Sequence, residues 1–331
     1  MKLLIIRFSS IGDIVLTTPV IRCIKKQVPD VQIHFLTKYA YRQIVASNPF
    51  VDKVHLLQGD NWDVLLETLK AEGFDQVIDL HKNLRTLKVK RALKKAKAFS
   101  FDKLNWEKWL LTTLKINRMP SVHIVDRYLA TVKHLGVTND GRGLDYFIPK
   151  DEHIKETDLP MSHMAGYIGL VIGASYATKK LPVEKLQQLC TLIGHPIVLL
   201  GGPEDRTIGD RVSSIDPFKI YNSCGKYTLN ESADLVKRSK FIISHDTGLM
   251  HIAAAFKKPV ISIWGNTVPT FGMTPYYGTA ETKNKIFEVN GLSCRPCSKL
   301  GHQKCPKGHF KCMQQQDLEG MVKLVNEWLG K

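Results

Sequence analysis

Short apolar runs alternate with segments of helical periodicity along most of the chain, and this alternation limits the fold more than any other feature. In the first half, expected strands at 3–8, 31–36, 53–57 and 76–80 alternate with expected helices at 14–26, 39–47 and 62–72. Strands that alternate with helices in this way form βαβ units and a parallel sheet. The pattern therefore predicts an α/β domain.

A second series of the same kind follows a less patterned stretch at 141–163. Strands are expected at 167–172, 196–200, 241–244 and 259–264, and helices at 182–193, 230–239 and 249–256. We therefore expect two α/β domains, 1–160 and 161–331, and an amphipathic closing helix at 317–329 that is a candidate to pack back on the first domain. Tandem domains of this class leave a cleft at the carboxyl ends of their strands, where chemistry is expected.

Composition agrees with two globular domains, since the chain has 331 residues, of which 44% are apolar and 24% charged. No apolar run approaches the ~18 residues of a membrane-spanning helix. The apolar part of the N-terminus is too short for a signal peptide, so a soluble, cytoplasmic protein is expected. The net charge is +16, and residues 1–150 hold 25 Lys and Arg against 14 Asp and Glu. The first half is therefore expected to bind a polyanion: nucleic acid, an anionic membrane face or a phosphorylated substrate.

The turn after the first expected strand is the first candidate site. It includes Ser9, Ser10, Gly12 and Asp13, and Gly12 permits close approach of the backbone. Asp13 has two interpretations: a helix cap, which the turn alone favours, or a general base at the floor of the cleft. The turn does not match the Gly-x-Gly-x-x-Gly fingerprint of dinucleotide-binding domains.

Three turns in the second half could bind a nucleotide. After the strand at 241–244, the backbone amides of 247–249 and the Thr247 hydroxyl are candidate donors to phosphate oxygens. Lys179 follows another strand and could neutralise a diphosphate, and Glu204 could accept hydrogen bonds from ribose hydroxyls. His245 and His251 are six residues apart, which does not place them on one helical face as a metal pair.

At these positions the chain resembles glycosyltransferase family 9, the bacterial ADP-heptose:lipopolysaccharide heptosyltransferases. Four stretches carry the resemblance: 7–19, 178–182, 244–259 and 294–297. The resemblance implies a GT-B architecture, in which two Rossmann-like domains face each other across a cleft. It also implies inversion at the donor's anomeric carbon, no catalytic metal and no cofactor. The implied donor is ADP-heptose, and the implied acceptor is a phosphorylated glycolipid, either lipid A–Kdo or a heptosylated core.

Carried over by position, the resemblance makes Asp13 the catalytic base, which reverses the preference for a cap. The implied donor-binding residues are Thr178, Lys179, Glu204, Asp246, Thr247, Gly248, Leu249 and His251, and Ser9, Ser10 and Gly12 lie on the acceptor side. The chain departs from the family at two positions. Leu181 stands where Trp is common, and Asn266 stands where Pro is usual.

A basic run at 82–97 contains eight Lys and Arg residues and no acid. Leu and Val residues interleave with the charges, which predicts an amphipathic basic helix. Such a helix is either a solvated face or a surface for anionic membrane and phosphorylated lipid, and Lys82, Arg85 and Lys88 are the expected acceptor contacts. Trp106 and Trp109 follow as candidates for interfacial contact or for core packing.

Four cysteines cluster near the end of the chain, at 294, 297, 305 and 312. Cys294 and Cys297 have the spacing of a structural zinc site, whereas the other two are widely separated. Disulfides are disfavoured in a cytoplasmic protein. A structural metal held by Cys294, Cys297, Cys305 and Cys312 therefore stays open as a minority interpretation, with no catalytic metal expected.

Three alternatives to heptosyl transfer remain at this stage. The chain could use another nucleotide sugar, could be a nucleotide-sugar epimerase of the same fold, or could be a basic nucleic-acid-binding protein. The last is disfavoured because the basic run lacks an aromatic signature such as the RNP motif. We expect a cytoplasmic enzyme, peripheral at the inner face of the cytoplasmic membrane, with no nucleic acid partner.

Overall fold

The computed structural model describes residues 1–330 and contains two parallel sheets. The first sheet consists of β1 (Lys2–Ile6), β2 (Gln32–Lys38), β3 (Lys53–Leu57), β4 (Gln76–Asp79) and β5 (Lys97–Ser100). Its strand order is β3-β2-β1-β4-β5, so the order reverses beside β1. Ligands of doubly wound sheets bind at such a reversal, beyond the carboxyl ends of the strands.

The second sheet has six parallel strands in the order β11-β10-β9-β6-β7-β8. They are β6 (Ile168–Val171), β7 (Ile197–Leu200), β8 (Ile220–Asn222), β9 (Ile242–His245), β10 (Val260–Trp264) and β11 (Asn284–Glu288). The strands β6, β7, β9 and β10 are buried along their whole length. Continuous apolar runs are typical of parallel strands because helices cover both faces of the sheet.

Helices connect the strands in both halves. The first half contains α1 (Ile11–Val15), α2 (Thr18–Gln27), α3 (Arg42–Val45), α4 (Trp62–Ala71), α5 (Leu84–Ala92), α6 (Asn105–Trp109) and α7 (Ile124–Leu129). The second half contains α8 (Val183–Leu192), α9 (Arg206–Ser213), α10 (Leu229–Arg238), α11 (Gly248–Ala255), α12 (Lys311–Gln314) and α13 (Leu318–Leu329). No helix within residues 1–330 is both long enough and apolar enough to cross a membrane.

The helix expected at 14–26 is two helices, α1 and α2. The hydroxyl of Thr17 donates to the carbonyl of Ile14 at 2.7 Å, and Pro19 lies in the first turn of α2. Proline has no backbone N–H and is tolerated only in a first turn. One helix therefore ends and another begins at this point, so α1 has only five residues.

The basic run forms less helix than expected. The helix α5 covers only 84–92, and residues 97–100 form the edge strand β5. Lys90 pairs with the fully buried Asp79 at 2.9 Å, and Lys88 lies over the Trp62 ring at 4.9 Å. Part of the basic run therefore stabilises the first domain.

The closing helix α13 packs on its own domain rather than on the first, where it was a candidate to pack. Leu318, Met321 and Val325 are buried in the core of the second sheet, and Trp328 meets Phe241 edge to face. The apolar face that the sequence reveals is therefore covered by the second domain. A different buried cluster joins the domains, since it includes side chains from both β1 and β9.

Candidate active site

A cleft of about 830 Å³ lies between the two sheets, at the carboxyl ends of their strands. Most of the expected site residues line it. The first domain contributes Ser9, Ser10, Gly12 and Asp13, and the second contributes Lys179, Glu204, Asp246, Thr247, Gly248, Leu249 and His251. Their convergence follows from parallel topology, because turns that are distant in sequence meet at one edge of each sheet.

Asp13 is held by two groups from its own domain. One carboxylate oxygen lies 2.6 Å from an Arg7 guanidinium nitrogen. The other accepts hydrogen bonds from the Ser10 hydroxyl at 2.7 Å and from the Ser10 amide at 3.2 Å. The amide contact is the one that a capping carboxylate makes. Asp13 therefore has the geometry of a cap and also faces the cleft.

The pKa of Asp13 lies below its usual value of 3.8. Burial alone would raise this pKa, but the charge of Arg7 and the two hydrogen bonds from Ser10 outweigh burial. Arg7 also donates to the carbonyl of Ser9 at 2.8 Å and to the Tyr128 hydroxyl at 2.9 Å, which fixes the guanidinium. The carboxylate is therefore ionised at neutral pH and rigidly placed.

The two domains touch through a pair of glycines. A Cβ added to Gly248 would come within 2.7 Å of Ile11 and 3.3 Å of the Gly12 amide nitrogen. A Cβ added to Gly12 would come within 2.6 Å of the His251 ring. Only glycine permits this approach, which places the first turn of α11 directly against α1.

We expect Gly248→Ala to destabilise the closed contact between the domains. The added methyl requires Ile11 to shift, and overpacking of this kind costs about 1–3 kcal/mol. Thermal unfolding measures the effect. Gly194→Ala is the matched control, because a Cβ there meets nothing within 4 Å; equal behaviour of the two variants would contradict the packing argument.

His251 and His245 are buried and neutral. Burial lowers the pKa of His251 to about 4 and that of His245 to about 3. His251 lines the cleft, and its Nδ1 has no hydrogen-bond partner. The Nδ1 of His245 also has no partner, but its Nε2 accepts a hydrogen bond from the Leu181 amide at 3.0 Å, so His245 holds the turn that carries Lys179.

Lys179 places a cation on the expected donor side of the cleft. Its ammonium lies 2.6 Å from a carboxylate oxygen of Asp246, and the same oxygen accepts a hydrogen bond from the Thr267 hydroxyl at 3.0 Å. The first-turn amides of α11 border the same space, and such amides have no partner within their helix. The arrangement can therefore bind an anion between the Lys179 ammonium and the start of α11.

Thr178 and Glu204, both expected on the donor side, differ in where the structure places them. Thr178 was expected to contact the diphosphate, but its hydroxyl donates to the His302 carbonyl at 3.0 Å and accepts from the His302 amide at 2.8 Å. It is 2% exposed and does not line the cleft. The structure therefore assigns Thr178 to loop packing. Glu204 does line the cleft and is exposed, whereas the adjacent Asp205 pairs with Lys180 at 2.6 Å.

The sequence reasoning missed several cleft residues. His81, Lys103 and Lys108 from the first domain and Lys299 from the second all line the cavity. Burial, with help from neighbouring Arg127, lowers the pKa of Lys108 to about 8. None of the three lysines pairs with a carboxylate among residues 1–330. Lys103 and Lys108 follow β5, a strand that the charge pattern concealed, and His81 follows the expected strand β4.

The expected acceptor contacts Lys82, Arg85 and Lys88 do not line the cleft. They belong to the start of α5 and the residues before it, and α5 presents Leu84 to the surface at 85% exposure. Apart from Arg7, the first-domain cations in the cleft whose charges interact with Asp13 are Lys103 and Lys108, and Lys299 lies near both of these lysines.

The four clustered cysteines lie in or directly beside residues 289–310, a segment without helix or strand that we call the cysteine loop. All four thiols are free, and burial followed by the other cysteines raises the pKa of Cys312 to about 11. Lys299 and Leu300 of this loop line the cleft. Lys115 of the first domain donates to the loop's Pro296 carbonyl at 2.7 Å.

The four thiols are neighbours without forming a compact ligand shell. Among residues 1–330, the one set of three metal-ligating atoms within 4.8 Å of one another belongs to His34, His55 and Glu72. Glu72 already pairs there with Lys2 and Lys53, and none of these residues lines the cleft.

A family model described as glycosyltransferase family 9 (heptosyltransferase) matches residues 62–306, most of the chain. The chain belongs to glycosyltransferase family 9. Among family relatives, the lipopolysaccharide heptosyltransferase 1 of Campylobacter coli is 27% identical, and the alignment covers 100% of this chain and 99% of the relative. The turn with Asp13 lies outside the family match but within this alignment.

Solved structures agree with the family assignment. The glycosyltransferase family 9 protein of Veillonella parvula has a TM-score of 0.78 at 22% identity, and the match covers 99% of this chain and 97% of that one. The E. coli ADP-heptose lipopolysaccharide heptosyltransferase II has a TM-score of 0.70 at 18% identity, with 99% and 98% covered. Together with the two parallel sheets, these likenesses confirm the expected GT-B fold with its Rossmann-like domains.

As a family 9 member, the chain departs from the usual pattern at two buried positions. Leu181, in place of Trp, is 3% exposed and keeps its backbone contact to His245. Asn266, in place of Pro, is 1% exposed, and neither polar atom of its side chain has a hydrogen-bond partner. Nothing in the structure explains the Asn266 side chain.

Proposed function

We propose that this family 9 glycosyltransferase moves heptose from ADP-heptose to a hydroxyl of the lipopolysaccharide inner core, with inversion and without a catalytic metal. The observation that carries the proposal is the opposition of an ionised carboxylate, Asp13, to a cationic donor pocket around Lys179 within one cleft. The names of the Campylobacter and E. coli relatives, both lipopolysaccharide heptosyltransferases, support the sugar and the acceptor class.

In the proposed reaction, Asp13 accepts the proton of the acceptor hydroxyl while the hydroxyl oxygen attacks the anomeric carbon. The bond between the anomeric carbon and the diphosphate oxygen breaks, and the new glycosidic bond forms on the opposite face of that carbon. ADP leaves with the electron pair and takes up negative charge. Lys179 and the first-turn amides of α11 stabilise that charge, which is the largest contribution such a site makes.

The acceptor side supports an anionic acceptor. Lys103, Lys108 and Lys299 line the cleft, the charges of Lys103 and Lys108 interact with Asp13, and none of the three forms an ion pair with a carboxylate among the described residues. Phosphate or carboxylate groups of lipid A–Kdo, or of a heptosylated core, supply the missing negative charge. A glycolipid acceptor also agrees with a cytoplasmic enzyme that is peripheral at the inner membrane face.

The direct test supplies purified protein with ADP-heptose and a panel of lipid A–core acceptors. We expect ADP release that depends on acceptor, an inverted anomeric configuration by NMR, and unchanged turnover after treatment with EDTA. Replacing ADP-heptose with other nucleotide sugars tests the donor. Turnover of ADP-heptose without any acceptor would favour an epimerase, and salt-sensitive binding to DNA or RNA stronger than binding to acceptor would favour the nucleic-acid alternative.

We expect Lys108→Ala to raise the acceptor KM about tenfold, because a charge-assisted hydrogen bond contributes about 1.5–3 kcal/mol. In the unmodified enzyme the acceptor KM should also rise as the pH increases through 8, since Lys108 loses its charge above its pKa of about 8. Lys94→Ala, an exposed change in the basic run, is the control. An unchanged acceptor KM for Lys108→Ala would remove this residue from the acceptor site.

A further inference from the structure

The short helix α6 has two faces with opposite character. Asn105 and Lys108, three residues apart, line the cleft, and Trp106 and Trp109 have the same spacing one position further along. Residues three apart lie on one face of a helix. One face of α6 therefore belongs to the cleft, and the neighbouring face carries two indoles.

Both indoles are exposed. Trp106 is 65% and Trp109 is 45% exposed, and their rings stack with centroids 5.0 Å apart. A π-helical turn follows at 110–114, and Leu114 and Ile116 are about half exposed. We call Trp106, Trp109, Leu114 and Ile116 the tryptophan surface. Single exposed apolar side chains are ordinary, whereas four within eleven residues indicate an interaction site.

The charges around this surface indicate its partner. Residues 103–118 contain four cations and one acid, Glu107, so the segment favours an anionic partner. Exposed indoles beside Lys and Arg are typical of proteins that insert into the headgroup region of a bilayer. The basic helix α5 is less suited to this role, because Lys90 pairs with buried Asp79 and Lys88 covers Trp62.

We propose that the tryptophan surface inserts into the headgroup region of an anionic lipid bilayer and holds the mouth of the cleft at the membrane. The proposal rests on the proposed function, since a glycolipid acceptor resides in such a bilayer. The same short helix then places Lys108 toward the acceptor and both indoles toward the lipid around it.

The test measures binding of the full chain to large unilamellar vesicles, with and without anionic phosphatidylglycerol in phosphatidylcholine. We expect binding to the anionic vesicles that weakens with salt, and quenching of tryptophan fluorescence by lipids brominated in their acyl chains. The double variant Trp106→Ala/Trp109→Ala should lower the partition coefficient about tenfold or more, since each indole buries a large apolar area. Its ADP affinity and melting temperature should match those of the parent, which establishes that it folds.

Phe218→Ala is the matched control, because Phe218 is an aromatic side chain with 87% exposure on the second domain; its vesicle binding should equal that of the parent. Unchanged binding by the tryptophan variant would overturn the proposal, and so would loss of binding only in Lys82→Ala/Arg85→Ala/Lys88→Ala, which would assign the membrane to α5. Vesicle binding needs neither donor nor acceptor. Indole-dependent binding without heptosyl transfer would therefore refute the proposed function alone, and transfer without vesicle binding would refute only this inference.

Discussion

Asp13→Asn is expected to lower kcat by about 10²–10⁴, the range that a positioned general base contributes, while the Kd for ADP stays near that of the parent. Asparagine keeps the size of the side chain but cannot accept the proton of the acceptor hydroxyl. It also leaves the buried Arg7 without its carboxylate, so thermal unfolding is measured alongside turnover. Arg7 retains its bonds to Ser9 and Tyr128, which should preserve the fold.

Asp63→Asn is the control, because Asp63 also lies in the first turn of a helix but is exposed and outside the cleft. The pH profile gives a second readout. Since the pKa of Asp13 lies below 3.8, the carboxylate stays ionised at every pH above about 5, and Asp13 should produce no acidic limb there. Near-normal turnover by Asp13→Asn would refute its role as the base.

Lys179→Ala is expected to weaken ADP binding by about 10- to 100-fold, the factor that corresponds to about 1.5–3 kcal/mol for hydrogen bonds to a charged group. The ammonium lies within the cleft beside Asp246. A bound diphosphate would either displace the Asp246 carboxylate from the ammonium or bind the ammonium together with it. Calorimetric titration with ADP measures the change. The effect should decrease at high salt, because ions screen the interaction of charges that solvent reaches.

Lys185→Ala provides the comparison for Lys179→Ala. Lys185 is a half-buried lysine on α8, six residues further along, and its ammonium donates to the side chain of Gln188 at 3.4 Å. Loss of acceptor binding without loss of ADP binding in Lys179→Ala would move this lysine to the acceptor side of the site.

Local patterns were enough to predict most of the sheet framework. The strand at 53–57 has the bounds that the sequence indicates, because an apolar run between turn residues defines both ends. The edge strand β5 was missed because Lys97 and the seven other cations of the run indicate a helix more strongly than 97–100 indicate a strand. The strands β8 and β11 were missed as well, since short edge strands carry little apolar signal.

The site was predictable to the extent that it depends on turns after strands. Asp13, Lys179 and Asp246 come together because the sheets are parallel. Lys299 could not be found in this way, because it lies in the cysteine loop, whose path depends on long-range contacts. Thr178 shows the opposite case: although it lies beside Lys179, its hydroxyl bonds to the His302 backbone and it does not line the cleft.

The hydrogen bonds between Thr178 and His302 connect two loops that line the cleft. The loop that carries Lys179 is joined through them to the loop that carries Lys299, although the two lysines are 120 positions apart in the chain. If Lys179 binds the leaving group and Lys299 binds the acceptor, as proposed, then both substrates contact loops of the second domain that are hydrogen-bonded to each other. A displacement of one loop by one substrate would then shift the other loop, and the two substrates could cooperate without movement of whole domains.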